Sequence, residues 1–459
     1  MSNRNKLAII VAGGPAPGIN AVIGAATIEA INRGMSVVGI YDGFKWLASD
    51  KFVAERHTLN LEIKDVGRIH FSGGSILRIS RETLLDETRL QKTTVVASNT
   101  EKIGWVLKNF TELGVTHVMT IGGDDTALSA RFVAEKSKGR IRVVHVPKTI
   151  DNDLPLPGEM PTFGFNTARD LGSKLVANLM EDARTTGRWY AVVVMGRHSG
   201  FLALGIGKAT GATLTLIPEA FPENISFQHL ADVVEGSIIK RRSMNRPYGV
   251  VILAEGLAYR LGNRDELEHL LGKKVPLDAA GHLRLAEVPL ARMVTDETTR
   301  RFAERGDSVA IVPQTLGYML RCAPPVPFDM EYCRDLGNGA VRLLLDETLD
   351  VSGGVMVTLQ HSNICPVAFS ELIDAKTNRT RIRVVDVNSD VYKVARRYMI
   401  SLEREDLSDP VAVARLASAA KMGEEEFVKR FRGAIDPLIY ETQGGYCKTP
   451  AQKSSLVDG

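Results

Sequence analysis

The chain has 459 residues, 44% of them hydrophobic and 24% charged, with 41 glycines. This length suggests about three domains, or two large ones with an extension, and the composition excludes fibrous, collagen-like and wholly disordered proteins. The net charge of +3, from 57 basic and 54 acidic residues, gives no global electrostatic support for binding nucleic acid or a membrane surface.

Residues 7–12 form a continuous apolar run, which predicts a strand buried on both faces. A Gly/Pro turn over 13–18 follows, and Asn20 is expected to cap a helix that runs to about Arg33, with Gly34 as its stop. Residues 36–40 form the second strand of a βαβ unit, which implies parallel pairing. The rhythm repeats: helices 101–113, 126–138 and 166–182 lead to strands 117–121, 142–146 and 189–195. Strands 214–217 and 250–253 follow, with helix 227–241 between them. Such alternation indicates an α/β protein with doubly wound sheets. Stretches 147–161 and 313–327 look irregular and are candidate crossings between lobes. Residues 353–370 read as strands or a hairpin. Beyond Asp374 the pattern becomes charged and helical, as in 391–400 and 410–421, and 446–459 are expected to be mobile.

The longest apolar run, 189–195, is far short of the ~20 residues of a membrane span. The polar start, 1–6, lacks the plan of a signal peptide. Cys322, Cys333, Cys365 and Cys447 make no CxxC pair, so neither a zinc ribbon nor a disulfide framework is indicated. The nine histidines show no zinc spacing, and His198 is assigned no chemistry. A reduced, cytoplasmic location is the plain expectation.

Ligands of open α/β sheets bind beyond the carboxyl ends of the strands, and unusual polar clusters fall at several such ends. Gly13 to Asn20 (GGPAPGIN) could bring backbone N–H groups to an anion, or could be only a tight turn. Gly122 to Thr126 (GGDDT) places two adjacent carboxylates at a strand end. Mg²⁺ on phosphate oxygens would neutralise them, whereas helix capping accounts for one aspartate better than two. Residues 147–153 (PKTIDND) set a lysine beside alternating aspartates, which suits phosphoryl transfer; a solvated Asx-rich loop is the bland alternative. Arg197 in Met195-Gly196-Arg197 can make a forked contact with phosphate or sugar oxygens, or a surface ion pair. Glu255 could accept sugar hydroxyls or serve a turn. Tyr318 and Arg321 could share a face if their segment is helical; otherwise they are a buried aromatic and a solvated arginine. Arg188 opens the strand that the Arg197 loop follows, so one subunit could hardly aim both at one ligand.

The ordered set GGPAPGIN, GGDDT, PKTIDND, MGR, AEG and GYMLR resembles the phosphofructokinase family, over about two thirds of the chain. The resemblance implies two Rossmann-like lobes with the active site between them, plus a helical C-terminal extension. The boundaries expected are 1–162 with 318–375 for a donor-binding lobe, 163–317 for a sugar-phosphate lobe and 376–459 for the extension. It also implies phosphoryl transfer to the 1-hydroxyl of fructose 6-phosphate. ATP-using relatives generally carry GGDG, and GGDD resembles the pyrophosphate-dependent branch. A carboxylate at Asp125 would occupy the place of the α-phosphate of ATP. The family pattern gives Gly13 an approach to pyrophosphate, Asp124 the Mg²⁺, Asp151 the role of general base, and Lys148 transition-state stabilisation. Thr149, Ile150, Asp151, Met195, Gly196, Arg197, Glu255, Tyr318, Met319, Leu320 and Arg321 fall to the sugar phosphate. Arg188 matches a position that reaches a neighbouring subunit, so a homo-oligomer, a dimer or tetramer, is expected. An ATP-dependent enzyme and a non-catalytic sugar-phosphate-binding subunit are the alternatives.

Overall fold

A computed structural model describes residues 5–86, 97–261, 288–351, 353–377 and 379–435, together with 268, 271, 272 and 274. Their strands form two sheets. The first has seven strands in the order β11-β10-β5-β4-β1-β2-β3. These are β1 (Lys6–Val11), β2 (Ser36–Ile40), β3 (Thr58–Leu61), β4 (His117–Gly122), β5 (Arg142–Pro147), β10 (Val355–Gln360) and β11 (Asn363–Ala368). The central strands pair in parallel, while the edge strands β3 and β11 run antiparallel to their neighbours. The second sheet is wholly parallel, in the order β7-β8-β6-β9. It comprises β6 (Trp189–Val194), β7 (Leu214–Leu216), β8 (Gly249–Ala254) and β9 (Ile311–Leu316).

The buried strands account for the apolar runs. Leu7, Ile9 and Val11 face one core layer and Ala8 and Ile10 the other, all at 0% exposure, because helices cover both faces of a parallel sheet. Helix α1 (Ile19–Asn32) covers the first face beside helix α8 (Pro327–Leu345). Gly337 makes this approach possible: a Cβ there would lie 2.6 Å from the Val22 carbonyl oxygen. The remaining long helices are α2 (Thr100–Leu113), α3 (Asp124–Ser137), α4 (Phe165–Thr186), α5 (Phe201–Thr210), α6 (Phe227–Ser243) and α7 (Leu290–Glu304).

The C-terminal helices α9 (Asp390–Arg397), α10 (Pro410–Ala420) and α11 (Glu424–Phe431) lie along α6 and its neighbours. Phe427 and Phe431 are fully buried there. Lys240 pairs with Asp406 at 2.5 Å, and Arg430 reaches the Glu235 carboxylate at 2.9 Å.

Three local expectations are corrected. Asn20 does not cap α1; Gly18 does, and the Asn20 side chain instead donates to the carbonyls of Ser72 and Gly73 and accepts from the Ile76 N–H. Helix α3 begins at Asp124, two residues earlier than expected, so both aspartates lie in its first turn behind the Gly123 cap. Residues 313–316 are not irregular but belong to β9, where Pro313 sits opposite Ala191 on an edge strand, the place where a sheet tolerates proline. The expectation for 446–459 lies outside the described residues.

Candidate active site

Six strand ends supply the site, three from each sheet. From the first sheet come the loops after β1, β4 and β5; from the second, those after β6, β8 and β9.

The β1 loop turns at Gly13, whose φ of +88° favours glycine. Its N–H donates to the Ser80 carbonyl at 2.9 Å, which brings Arg81 to the same place. The β4 loop presents the N-terminus of α3, where the free N–H groups and dipole favour an anion. Asp124 is exposed there and Asp125 half-buried. The β5 loop is tied to its neighbour by Lys148 N–H to the Gly122 carbonyl, 2.8 Å. The Lys148 side chain is buried and its ammonium donates to the Gly14 carbonyl. Lys148 therefore bridges the donor-side loops. Burial first, and then the Arg321 charge, push its pKa down to about 8.

The β5 loop also meets the second sheet. Asp151 accepts the Arg197 N–H at 3.3 Å, and the Ser199 hydroxyl donates to the Asp151 carbonyl at 2.8 Å. Glu255 accepts the Gly196 N–H at 3.3 Å. The Arg321 guanidinium lies beside Gly14, where a Cβ would stand 3.5 Å from it, and stacks 5.2 Å from the Tyr318 ring. Arg321 thus approaches the glycine loop of one sheet from the last strand of the other. Tyr318 is exposed and Arg321 the more enclosed of the two, the reverse of the bland alternative.

These charges perturb one another. Burial raises the pKa of Asp151, opposed by the Arg197 N–H and by Arg321, Arg197 and Lys148. Asp153 rises to about 8, through burial and then the charges of Asp151 and Asp124. Glu255 rises through burial and then Asp151. A carboxylate raised toward neutrality is a better proton acceptor near pH 7 than an ordinary aspartate.

The charges of Asp151 and Asp124 both bear on Asp153, so negative charge gathers at these loops and a cation there would relieve it. No cluster of three or more potential metal ligands exists among the described residues. A cation here would therefore be held by one or two carboxylates and completed by substrate phosphates and water, the habit of Mg²⁺.

The structure thus brings together Gly13, Lys148, Asp151, Arg197, Glu255 and Arg321. Ile150, Met195 and Leu320 are buried, while Met319 is exposed beside Tyr318. Thr149 accepts the Asp151 N–H at 3.0 Å and so shapes the loop. Arg188 is not in this cluster. It lies at the far end of β6, about 20 Å away by strand rise, with Asp182 at 4.0 Å. His198 stacks on Tyr259, as a packed histidine would. Sequence reasoning missed Arg81 and gave no role to Asp153. Arg81 follows no strand-end pattern; only the bridge between Ala12 and Ser80 places it.

Known proteins share this sequence and this fold. The pyrophosphate--fructose 6-phosphate 1-phosphotransferase of Thermotoga maritima is 51% identical, over 93% of this chain and 98% of its own. That of Naegleria fowleri is 46% identical, over 94% and 96% respectively. The crystal structure of a pyrophosphate-dependent phosphofructokinase from Nitrosospira multiformis shares the fold, with a TM-score of 0.61 at 17% identity, over 86% of this chain and 91% of that one. The Phosphofructokinase family model matches residues 6–344, the span that contains all six strand-end loops, and the chain belongs to that family.

Proposed function

We propose that the chain transfers a phosphoryl group from pyrophosphate to the 1-hydroxyl of fructose 6-phosphate, giving fructose 1,6-bisphosphate and phosphate, in a reversible reaction. The observation that carries this is the position of Asp151. Its carboxylate sits where the loops of the two sheets meet, hydrogen-bonded to the Arg197 N–H and flanked by Lys148 and Arg321.

In this reading Asp151 takes the proton of the sugar hydroxyl. The freed oxygen attacks the terminal phosphorus, and the bridging P–O bond breaks to release phosphate. Lys148 and Arg321 balance the charge that moves to the equatorial and leaving oxygens. Gly13 lets pyrophosphate approach the backbone, and the N-terminus of α3 faces it. Mg²⁺, held by Asp124 and phosphate oxygens, would neutralise the donor. Arg197, Glu255, Tyr318 and Arg321 hold the sugar phosphate, with Thr149, Ile150, Met195, Gly196, Met319 and Leu320 shaping the walls. Asp125, in the first turn of α3, selects the donor by excluding a third phosphate. Arg188, at the outer end of β6, serves a neighbouring subunit in a homo-oligomer. Residues 1–162 with 318–375 form the donor lobe, 163–317 the sugar lobe and 376–459 the extension, of which the described residues carry the first two sheets and α9–α11. A cytoplasmic site of action completes the proposal.

The test is phosphorus NMR of purified protein with fructose 6-phosphate and Mg²⁺. Pyrophosphate should give fructose 1,6-bisphosphate and phosphate. Faster product formation with ATP, or none with either donor, would overturn the reading.

A further inference from the structure

The PKTIDND loop is held from outside the region that matches the family model. Residues 381–385, which form neither helix nor strand, lie between the β10–β11 hairpin and α9 in the chain. Ile382 and Val384 turn outward, at 43% and 50% exposure, while Arg383 and Val385 turn in. The Arg383 N–H donates to the Asp153 carbonyl at 2.7 Å. Its guanidinium donates to the Asn152 carbonyl and the Met160 carbonyl, each at 3.1 Å, and to the Asn152 side-chain oxygen. The same guanidinium lies 5.4 Å from the ring of Phe201, the first residue of α5.

Two residues later, the Val385 N–H donates to Glu219 at 3.0 Å. That carboxylate oxygen also accepts the N–H of Gly200 at 2.8 Å, just after the Met195-Gly196-Arg197 loop. One short segment thus ties both walls of the sugar site. The ties fall where the loop needs them. Asn152 has a left-handed φ of 58°, a region that asparagine tolerates better than most residues. Its side-chain oxygen also accepts the Thr162 N–H at 3.0 Å, so it is locked from two sides. Asp151 directly precedes it in the chain, with its carboxylate on the Arg197 N–H.

We infer that the Arg383 side chain is a positioning element for phosphoryl transfer: by fixing Asn152 on both its carbonyl and its side-chain oxygen it aims the adjacent Asp151 carboxylate at the sugar hydroxyl. This rests on the reading of Asp151 as the proton acceptor. The choice of arginine follows from its five donors in a planar fork, which serve three acceptors at once; lysine offers a single mobile centre.

The test is steady-state turnover of fructose 6-phosphate and pyrophosphate by the full chain carrying Arg383→Ala or Arg383→Lys, with Asp151→Asn alongside. A misplacement of about 1 Å can cost ~10²-fold, so Arg383→Ala should lose about 30- to 100-fold in kcat. Its KM for pyrophosphate should stay within about threefold, because the donor-side contacts of Lys148 are untouched. Millimolar guanidinium should restore part of kcat in Arg383→Ala and leave the parent enzyme unchanged, a response that general loosening of the fold would not give. Should Arg383→Ala fail to fold, Arg383→Lys decides, with an expected loss of about tenfold. Parent-like kcat in whichever variant folds, or a loss that guanidinium leaves untouched in folded Arg383→Ala, overturns the inference. Asp151→Asn separates the two claims: full turnover in that variant overturns the proton-acceptor reading, whereas its loss beside normal Arg383 variants overturns only the positioning role.

Discussion

Among the described residues, two groups of enclosed charges are built in opposite ways. Around Glu235, which is 0% exposed, the acids and bases meet directly. Arg301, Arg305 and Arg430 approach its carboxylate at 3.0, 2.7 and 2.9 Å. Arg301 also pairs with Asp232 at 2.6 Å and with Glu297 at 2.7 Å. Arg300 first, with Arg301 after it, holds the Glu297 carboxyl down to about 2. At the strand-end loops, by contrast, the carboxylates of Asp151 and Glu255 are each held by a main-chain N–H at 3.3 Å. There burial pushes Asp151, Asp153 and Glu255 up and Lys148 down, toward their neutral forms.

The difference teaches how similar residues do different work. Direct pairing makes a fixed joint, and here it fastens α11 to α6 and α7. Looser holding leaves proton affinities displaced and charges ready for a substrate that brings its own. The first arrangement resists change; the second suits the proton and phosphoryl transfer proposed for it.

The largest expected effect belongs to the strand-end site. Asp151→Asn keeps the shape and removes the proton acceptor, so kcat should fall by about 10²- to 10⁴-fold. Circular dichroism should show an intact fold; near-normal turnover would put the base elsewhere and remove the contrast.

A second prediction uses pH. The Lys148 pKa is lowered to about 8, so the side chain is charged below that value and neutral above it. The kcat/KM for pyrophosphate should therefore decline as pH rises through about 8. In Lys148→Arg the overall rate should be lower, but that alkaline limb should move upward, because guanidinium stays protonated. A flat parent profile to pH 9.5, or an unmoved limb in the variant, would contradict the assignment.

The smallest effect belongs to the joint. Arg430→Met removes one of three partners of Glu235 and should lower stability by about 1–3 kcal/mol, the scale of a hydrogen bond to a charged group. Urea unfolding measures it, and kcat should stay within twofold of the parent. A large loss of activity at unchanged stability would show that the two clusters are not separate in function.

Much of the architecture was readable because buried parallel strands leave continuous apolar runs, and the site because its polar clusters follow those runs. What escaped depends on contacts distant in sequence. Arg81 is carried to Gly13 by a backbone bridge, and Arg383 meets Asn152 across 231 positions. Asn20 misled because a polar residue at a helix start also suits a cap; here it ties down the loop at 72–76 instead. Pro313 misled because proline reads as a break unless one knows the strand lies at an edge.

The most direct measurement compares donors in Asp125→Gly and the parent: kcat/KM for ATP divided by that for pyrophosphate, with fructose 6-phosphate saturating. Removing the carboxylate should raise this ratio by about tenfold or more, equivalent to ~1.4 kcal/mol of relieved repulsion. An unchanged ratio in a folded, active variant would contradict donor selection by position 125.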